Sequence, residues 1–250
     1  MGSAVRLIPA IDLRAGRSVR LFKGDFAAET RYDTEPLELL VRYRGIGADW
    51  LHIVDLDGAR DGNSGNRSVI AELAAERGIK LQVGGGLRNA AAVRQMLDLG
   101  ATRAVVGSAA LTEPDEVRNW LRHFGGERIA LAFDVRLDDG GIPCLATHGW
   151  LRQSTLSLWR AVEDFIDAGL EHVLCTDVGR DGALTGPNVD LYTEAVRRYP
   201  QLAWQASGGV RDARDLHALA DCGAAAAISG KALLELRIPI EELGPFLPNA

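Results

Sequence analysis

The chain repeats itself at a period close to half its own length. LQVGGGLRN at 81–89 returns as WQASGGVRD at 204–212, and LGATRAVVGSAAL at 99–111 returns as CGAAAAISGKALL at 222–234, both shifted by 123 residues. The run LIPAIDLR at 7–14 returns as IALAFDVR at 129–136, shifted by 122, and HIVDLDGARDGNSGN at 52–66 is echoed by LCTDVGRDGALTGPN at 174–188. Solenoids repeat every 20–50 residues or so, and a period this long points instead to two similar halves closing on each other.

Within each half, short apolar runs rich in β-formers alternate with segments of helical period, the mark of a parallel sheet covered by helices. Eight strands are expected, at Val5–Ile11, Trp50–Asp55, Lys80–Val83, Ala104–Gly107, Ile129–Asp134, His172–Thr176, Ala203–Ala206 and Ala225–Ser229, with helices such as Ala90–Leu99 and Ala213–Asp221 after them. No Pro/Ser-rich linker, charge block or low-complexity stretch divides the 250 residues. The expectation is one α/β domain over 1–250, a (βα)8 TIM barrel made of half-barrels at about 1–124 and 125–250. With 47% hydrophobic residues, its core needs neither a disulfide nor a metal to fold.

A net charge of −6 argues against nucleic-acid binding over a broad surface, which needs clustered Lys and Arg. Cys144, Cys175 and Cys222 form no C-x-x-C pair, so zinc-ribbon and redox motifs are not expected, and a reducing cytoplasm is the simplest setting. No apolar run approaches a membrane span, and Asp12 interrupts the opening before a signal-type region is complete. A monomer without membrane or nucleic-acid partners is expected.

In such a barrel the site lies at the C-terminal ends of the strands, and phosphate is often held by the loops after strands seven and eight. Here those loops are Ser207-Gly208-Gly209 and Ser229-Gly230-Lys231, and the repeat supplies a second pair, Gly84-Gly85-Gly86 with Arg88 close behind, and Gly107-Ser108. Taken singly, each glycine cluster also reads as a plain tight turn. Their paired placement suggests two clamps for a long ligand with a phosphate at each end, because glycines let backbone N–H groups converge on an anion. Neither pair matches a dinucleotide or P-loop fingerprint, since Asn89 breaks the first.

Between the clamps, Asp12 ends the first strand and Asp134 the fifth. A buried acid is costly unless it serves chemistry, and two of them allow one to act as base while the other, raised in pKa, donates a proton. The alternative is that each caps a loop or pairs with Arg14 or Arg136. Thr176 and Asp181, with Gly182 beside it, add a hydroxyl and a carboxyl after the sixth strand. Asp55 and Asp177, which also repeat, read better as loop anchors. His52, His123, His148, His172 and His217 show no metal-ligand spacing, so no metal is expected. His148 and Trp150, in the long loop after the fifth strand, are placed to reach the mouth, although a surface role for Trp150 stays open. Paired carboxylates also suit a glycosidase, but low aromatic content and phosphate loops fit that poorly. A noncatalytic phosphate-binding barrel would keep the glycines and have no use for the acids.

The strings PAIDLRAGRSVRLFKGDF, VGGGLR, FDVR, TDVGRDG, ASGGV and ISGKAL, in this order and over essentially the whole chain, resemble those of the phosphoribosylformimino-5-aminoimidazole carboxamide ribotide isomerases of histidine biosynthesis. The resemblance implies a twofold-symmetric (βα)8 isomerase that converts a bisphosphorylated aminoaldose to its aminoketose, an Amadori rearrangement, with no metal or organic cofactor. It further implies Asp12 as proton acceptor and Asp134 as proton donor, with Thr176 and Asp181 assisting. Trp150 would stack on a substrate ring, and the loops Gly16–Thr30 and Asp138–Gly149 would close over the site. Two relatives stay open as alternatives. The sister cyclase, a lyase, normally opens with Cys and Leu where this chain has Ala10 and Ile11. An isomerase that also accepts phosphoribosyl anthranilate differs only in loop details.

Overall fold

The structure is a computed structural model that describes residues 5–22, 25–62, 65–147, 149–150 and 152–250. Its first half contains β1 (Arg6–Arg14), β2 (Arg17–Phe22), β3 (Asp25–Arg31), α1 (Pro36–Gly45), β4 (Trp50–Asp55), α2 (Leu56–Asp61), α3 (Arg67–Ala75), β5 (Lys80–Gly84), α4 (Ala90–Asp98), β6 (Arg103–Val106), α5 (Ser108–Thr112) and α6 (Pro114–Phe124). The second contains β7 (Ile129–Leu137), β8 (Pro143–Thr147), β9 (Arg152–Ser157), α7 (Leu158–Ile166), β10 (His172–Asp177), α8 (Val189–Arg198), β11 (Ala203–Ser207), α9 (Ala213–Asp221), β12 (Ala226–Ser229) and α10 (Lys231–Leu234).

Eight strands pair in parallel in the order β1-β4-β5-β6-β7-β10-β11-β12, and β12 returns to β1 with Ile8 opposite Ile228. The result is a closed (βα)8 barrel built on the eight expected runs. Alternation along the strands sorts residues into two cores. On β1, Leu7, Ile11 and Leu13 face outward into the large cluster beneath the helices, while Ile8 and Ala10 face inward. The inner apolar cluster is small, with Trp50, Val105, Leu174 and Ile228 among alanines 10, 130 and 226. Short side chains there leave room for a cavity above.

Helix starts repeat with the sequence. Asn89 caps α4 by accepting from the Ala92 amide at 2.9 Å, and Asp212, at the matching position, caps α9 by accepting from Arg214 at 3.0 Å. Such caps satisfy amides that lack partners within the helix and fix where each helix begins. Among the described residues, no helix is long and apolar enough to cross a membrane.

Two segments expected as loops are antiparallel hairpins instead. β2 runs back along β1, with Val19 opposite Asp12, and pairs with β3, while β8 runs back along β7, with Leu145 opposite Val135, and pairs with β9. Val19 and Leu21 pack on Leu56, which gives the first hairpin an apolar anchor. Parts of both expected loops, residues 23–24 and His148, lie outside the described residues.

Candidate active site

A cavity of about 820 Å³ opens at the C-terminal ends of the strands. Asp12, Asp134, Thr176 and Asp181 line it, and so do Gly85, Gly86, Arg88, Gly107, Ser108, Trp150, Gly182, Ser207, Gly208, Gly209, Ser229, Gly230 and Lys231. All of these residues are thus brought to one place, although the sequence scatters them over more than two hundred positions.

The glycine loops answer first to a steric demand. A Cβ on Gly85 would stand 2.1 Å from the Asp55 carbonyl oxygen, and one on Gly208 would stand 2.8 Å from that of Asp177. Each loop is pressed against the loop after the preceding strand, at φ +109° and +95°, where only glycine is at ease. The neighbouring loops are themselves anchored alike. Asp55 accepts from Asn66 at 2.6 Å and from the Gly58 amide at 3.0 Å, while Asp177 accepts from Asn188 at 2.7 Å and from the Gly179 amide at 2.9 Å. Asp55 and Asp177 are buried loop anchors.

The two strand-end acids have different surroundings. Burial pushes the Asp12 carboxyl up to about 6, against the downward pull of the Arg20 cation and with Asp181 adding to the rise. Burial also raises Asp134, opposed by hydrogen bonds from the Trp150 indole and the Thr176 hydroxyl and reinforced by Asp181. Trp150 holds that contact, Nε1–H to Oδ2 at 2.7 Å, from a backbone at φ +71°, a left-handed conformation uncommon for a bulky side chain. Thr176 stands opposite Asp134 in the register of β7 and β10. Among the described contacts neither acid is paired with Arg14 or Arg136: Arg14 is bonded to Glu29, and the cation that acts on Asp12 is Arg20.

Asp181 accepts from Arg20 Nη2 at both oxygens, at 3.1 and 3.0 Å. The symmetry is broken here, because the positions matching Thr176 and Asp181 in the first half are Val54 and Ala59. Two acids are duplicated, while the hydroxyl and the third carboxyl belong to the second half alone.

The model of the family described as "Histidine biosynthesis protein" matches residues 6–239. The chain belongs to this histidine biosynthesis family. Similar proteins include one from Idiomarina loihiensis, 45% identical over 244 residues, covering 98% of this chain and 100% of the relative. One from a Shewanella species is 46% identical over 97% of this chain and 99% of the relative, and one from Psychromonas ingrahamii is 45% identical over 94% and 96%. All three are described as 1-(5-phosphoribosyl)-5-((5-phosphoribosylamino)methylideneamino) imidazole-4-carboxamide isomerases.

In this member of the histidine biosynthesis family, the polar cavity-lining side chains that escaped the sequence reading include Arg20, His52 and Arg60. Arg20 sits 161 positions from the acid it grips, in a segment expected to be loop. The available signal was the period-two pattern of Val19 and Leu21, which makes a strand of 17–22 and turns Arg20 toward the opposite face. His52 looked like an ordinary strand residue because only its partners on other strands set it apart.

Proposed function

We propose that the chain is an aldose–ketose isomerase acting on the bisphosphorylated aminoaldose named in its relatives' description, by acid/base chemistry alone. The observation that carries the reading is the cavity itself, which gathers the repeat-related acids and two repeat-related pairs of glycine loops, one pair with Arg88 beside it and the other with Lys231. A ligand with a phosphate at each end would place its sugar against the acids.

Asp134 delivers a proton to the furanose ring oxygen, the C1′–O bond breaks, and the nitrogen lone pair forms the protonated Schiff base. Asp12 then removes the C2′ proton, and the electron pair moves into a C1′=C2′ bond to give the enaminol. Return of a proton to C1′ with loss of the 2′-hydroxyl proton gives the ketone. A base with a pKa near 6 suits the second step, being ionised at neutral pH yet still basic. Thr176 orients Asp134, and Asp181 with Arg20 sets the charge around Asp12. A free small molecule is the partner of a monomer in this reading, and three unbridged cysteines support a cytoplasmic setting.

The test is turnover of that aminoaldose by the purified protein, followed as ketose formation. The wild type should turn over, and Asp12→Asn should lose about 10²–10⁴-fold in kcat while still binding the substrate. Near-normal turnover in the variant removes Asp12 from the chemistry, and an inactive wild type removes the reaction.

A further inference from the structure

Beneath the carboxylates, a polar chain crosses the barrel. Gln82 Nε2 lies 2.7 Å from Gln205 Oε1, across the axis that relates the two halves, and 3.1 Å from His52 Nδ1. Gln82 Oε1 lies 3.3 Å from Arg103 Nη1. A guanidinium has donors and no acceptor, so the atom of Gln82 that faces it is the carbonyl oxygen. The amide nitrogen therefore spends its two protons on Gln205 and His52, and His52 Nδ1 must accept. Its ring proton then resides on Nε2. Burial keeps this imidazole neutral, with its pKa pushed down to about 4.

His52 also lines the cavity, and its height is set by register: Val54 lies opposite Asp12, and His52 lies opposite Ala10, one inward-facing step lower. Among the described contacts Gln82 is the only hydrogen-bond partner of the ring, and it takes Nδ1. We infer that His52 is a further substrate-contacting residue, a neutral Nε2–H donor held in that tautomer by Gln82 and Arg103, which hydrogen-bonds an uncharged oxygen of the sugar at the cavity floor. A neutral donor suits a hydroxyl or ring oxygen, while the phosphates are left to the loops above. Gln82 and Arg103 are positioning residues. The inference rests on the isomerase reading for the identity of the sugar, and not for the tautomer or the contact.

Two measurements test it. Ring ¹⁵N spectra of the wild type, with His52 assigned by its loss in His52→Gln, should show the Nε2–H tautomer, and adding ribose 5-phosphate should move its Nε2 resonance. An Nδ1–H pattern, or an Nε2 signal indifferent to saturating ribose 5-phosphate, overturns the inference. Both hold whether or not the protein turns over the aminoaldose, which separates failure here from failure of the isomerase reading. In turnover, His52→Leu should lose about 10–100-fold in kcat/KM, as expected for a lost hydrogen bond to a positioned sugar. His52→Gln, which keeps an N–H donor, should recover part of that loss. Equal kcat/KM in wild type and His52→Leu overturns the proposal, as does an equal loss in both variants that merely follows their melting temperatures. Should His52→Leu fail to fold, the spectra of the wild type decide.

Discussion

Asp12 destabilises the fold that it serves. Its carboxyl is raised from 3.8 to about 6 by burial, which corresponds to about 3 kcal/mol at most. Because the ionised form is the disfavoured one, this penalty is fully present above pH 6 and fades as the pH falls toward 3.8. Asp12→Asn should therefore melt about 5–10 °C higher than wild type at pH 7 and close to it at pH 4, even as it loses turnover. Thermal unfolding at the two pH values checks this, and an unchanged melting temperature at pH 7 would show that the acid bears no such strain. Arg20 pulls the same carboxyl downward, so Arg20→Leu should move the acidic limb of kcat/KM to higher pH. An unmoved limb, with Asp12 assigned to it, would show that the guanidinium acts only on Asp181. The acids themselves were legible in the sequence because the repeat aligns AIDLR with AFDVR. Arg20 was not, since nothing in a linear string brings position 20 to position 181.

At the scale of elements, the eight barrel strands were legible because each is a buried run flanked by helical period, and buried strands carry no competing pattern. The hairpins were harder for opposite reasons. The β9 segment RQSTLS is exposed or half-exposed along its whole length, so it shows no alternation to read. The β2 segment does alternate, but its partners are an acid-bearing strand end and a second hairpin strand rather than the barrel ladder. Loop glycines look alike in sequence and differ in their consequences. Gly85→Ala places a Cβ against the Asp55 carbonyl at φ +109°, whereas Gly141, at φ +78°, has nothing within 4 Å of such an atom. The first change should cost about 3 kcal/mol or more, since backbone must move, and the second about 1 kcal/mol, from conformation alone. Urea midpoints of the two variants measure the difference, and equal losses would mean that the β5 loop yields easily and is not wedged in place.

At the scale of the whole molecule, duplication alone does not make the two clamps alike, and their cations show how each half was completed. Arg88 and Arg211 occupy matching positions 123 residues apart. Arg211 is neutralised by Asp215, which accepts from its Nε at 3.0 Å and its Nη2 at 2.8 Å. The position matching Asp215 is Ala92, so Arg88 is spared that partner, and its Nη2 donates to the carbonyl oxygens of Ala59 and Arg60 while the residue lines the cavity. In the second half the cation is Lys231, whose counterpart is Ser108; it donates to the Gly182 carbonyl at 3.2 Å and stands 4.0 Å from Glu235. Arg88 and Lys231 thus stand beside the two pairs of glycine loops at non-equivalent positions. Because the two lie at opposite loops, their contributions to binding a bisphosphate should add. Arg88→Met and Lys231→Met should each weaken a bisphosphate analogue of the aminoaldose by about 10–100-fold, the range for a charge-assisted hydrogen bond, and the double variant by about the product. Ribose 5-phosphate, which fills one clamp at a time, should lose less than the bisphosphate where the intact clamp can still take it, and in the double variant should lose about one clamp's factor rather than the product. Calorimetric titration of the four proteins with both ligands checks the pattern, and a bisphosphate that binds no more tightly than the monophosphate would mean that one half of the mouth takes no part in holding it.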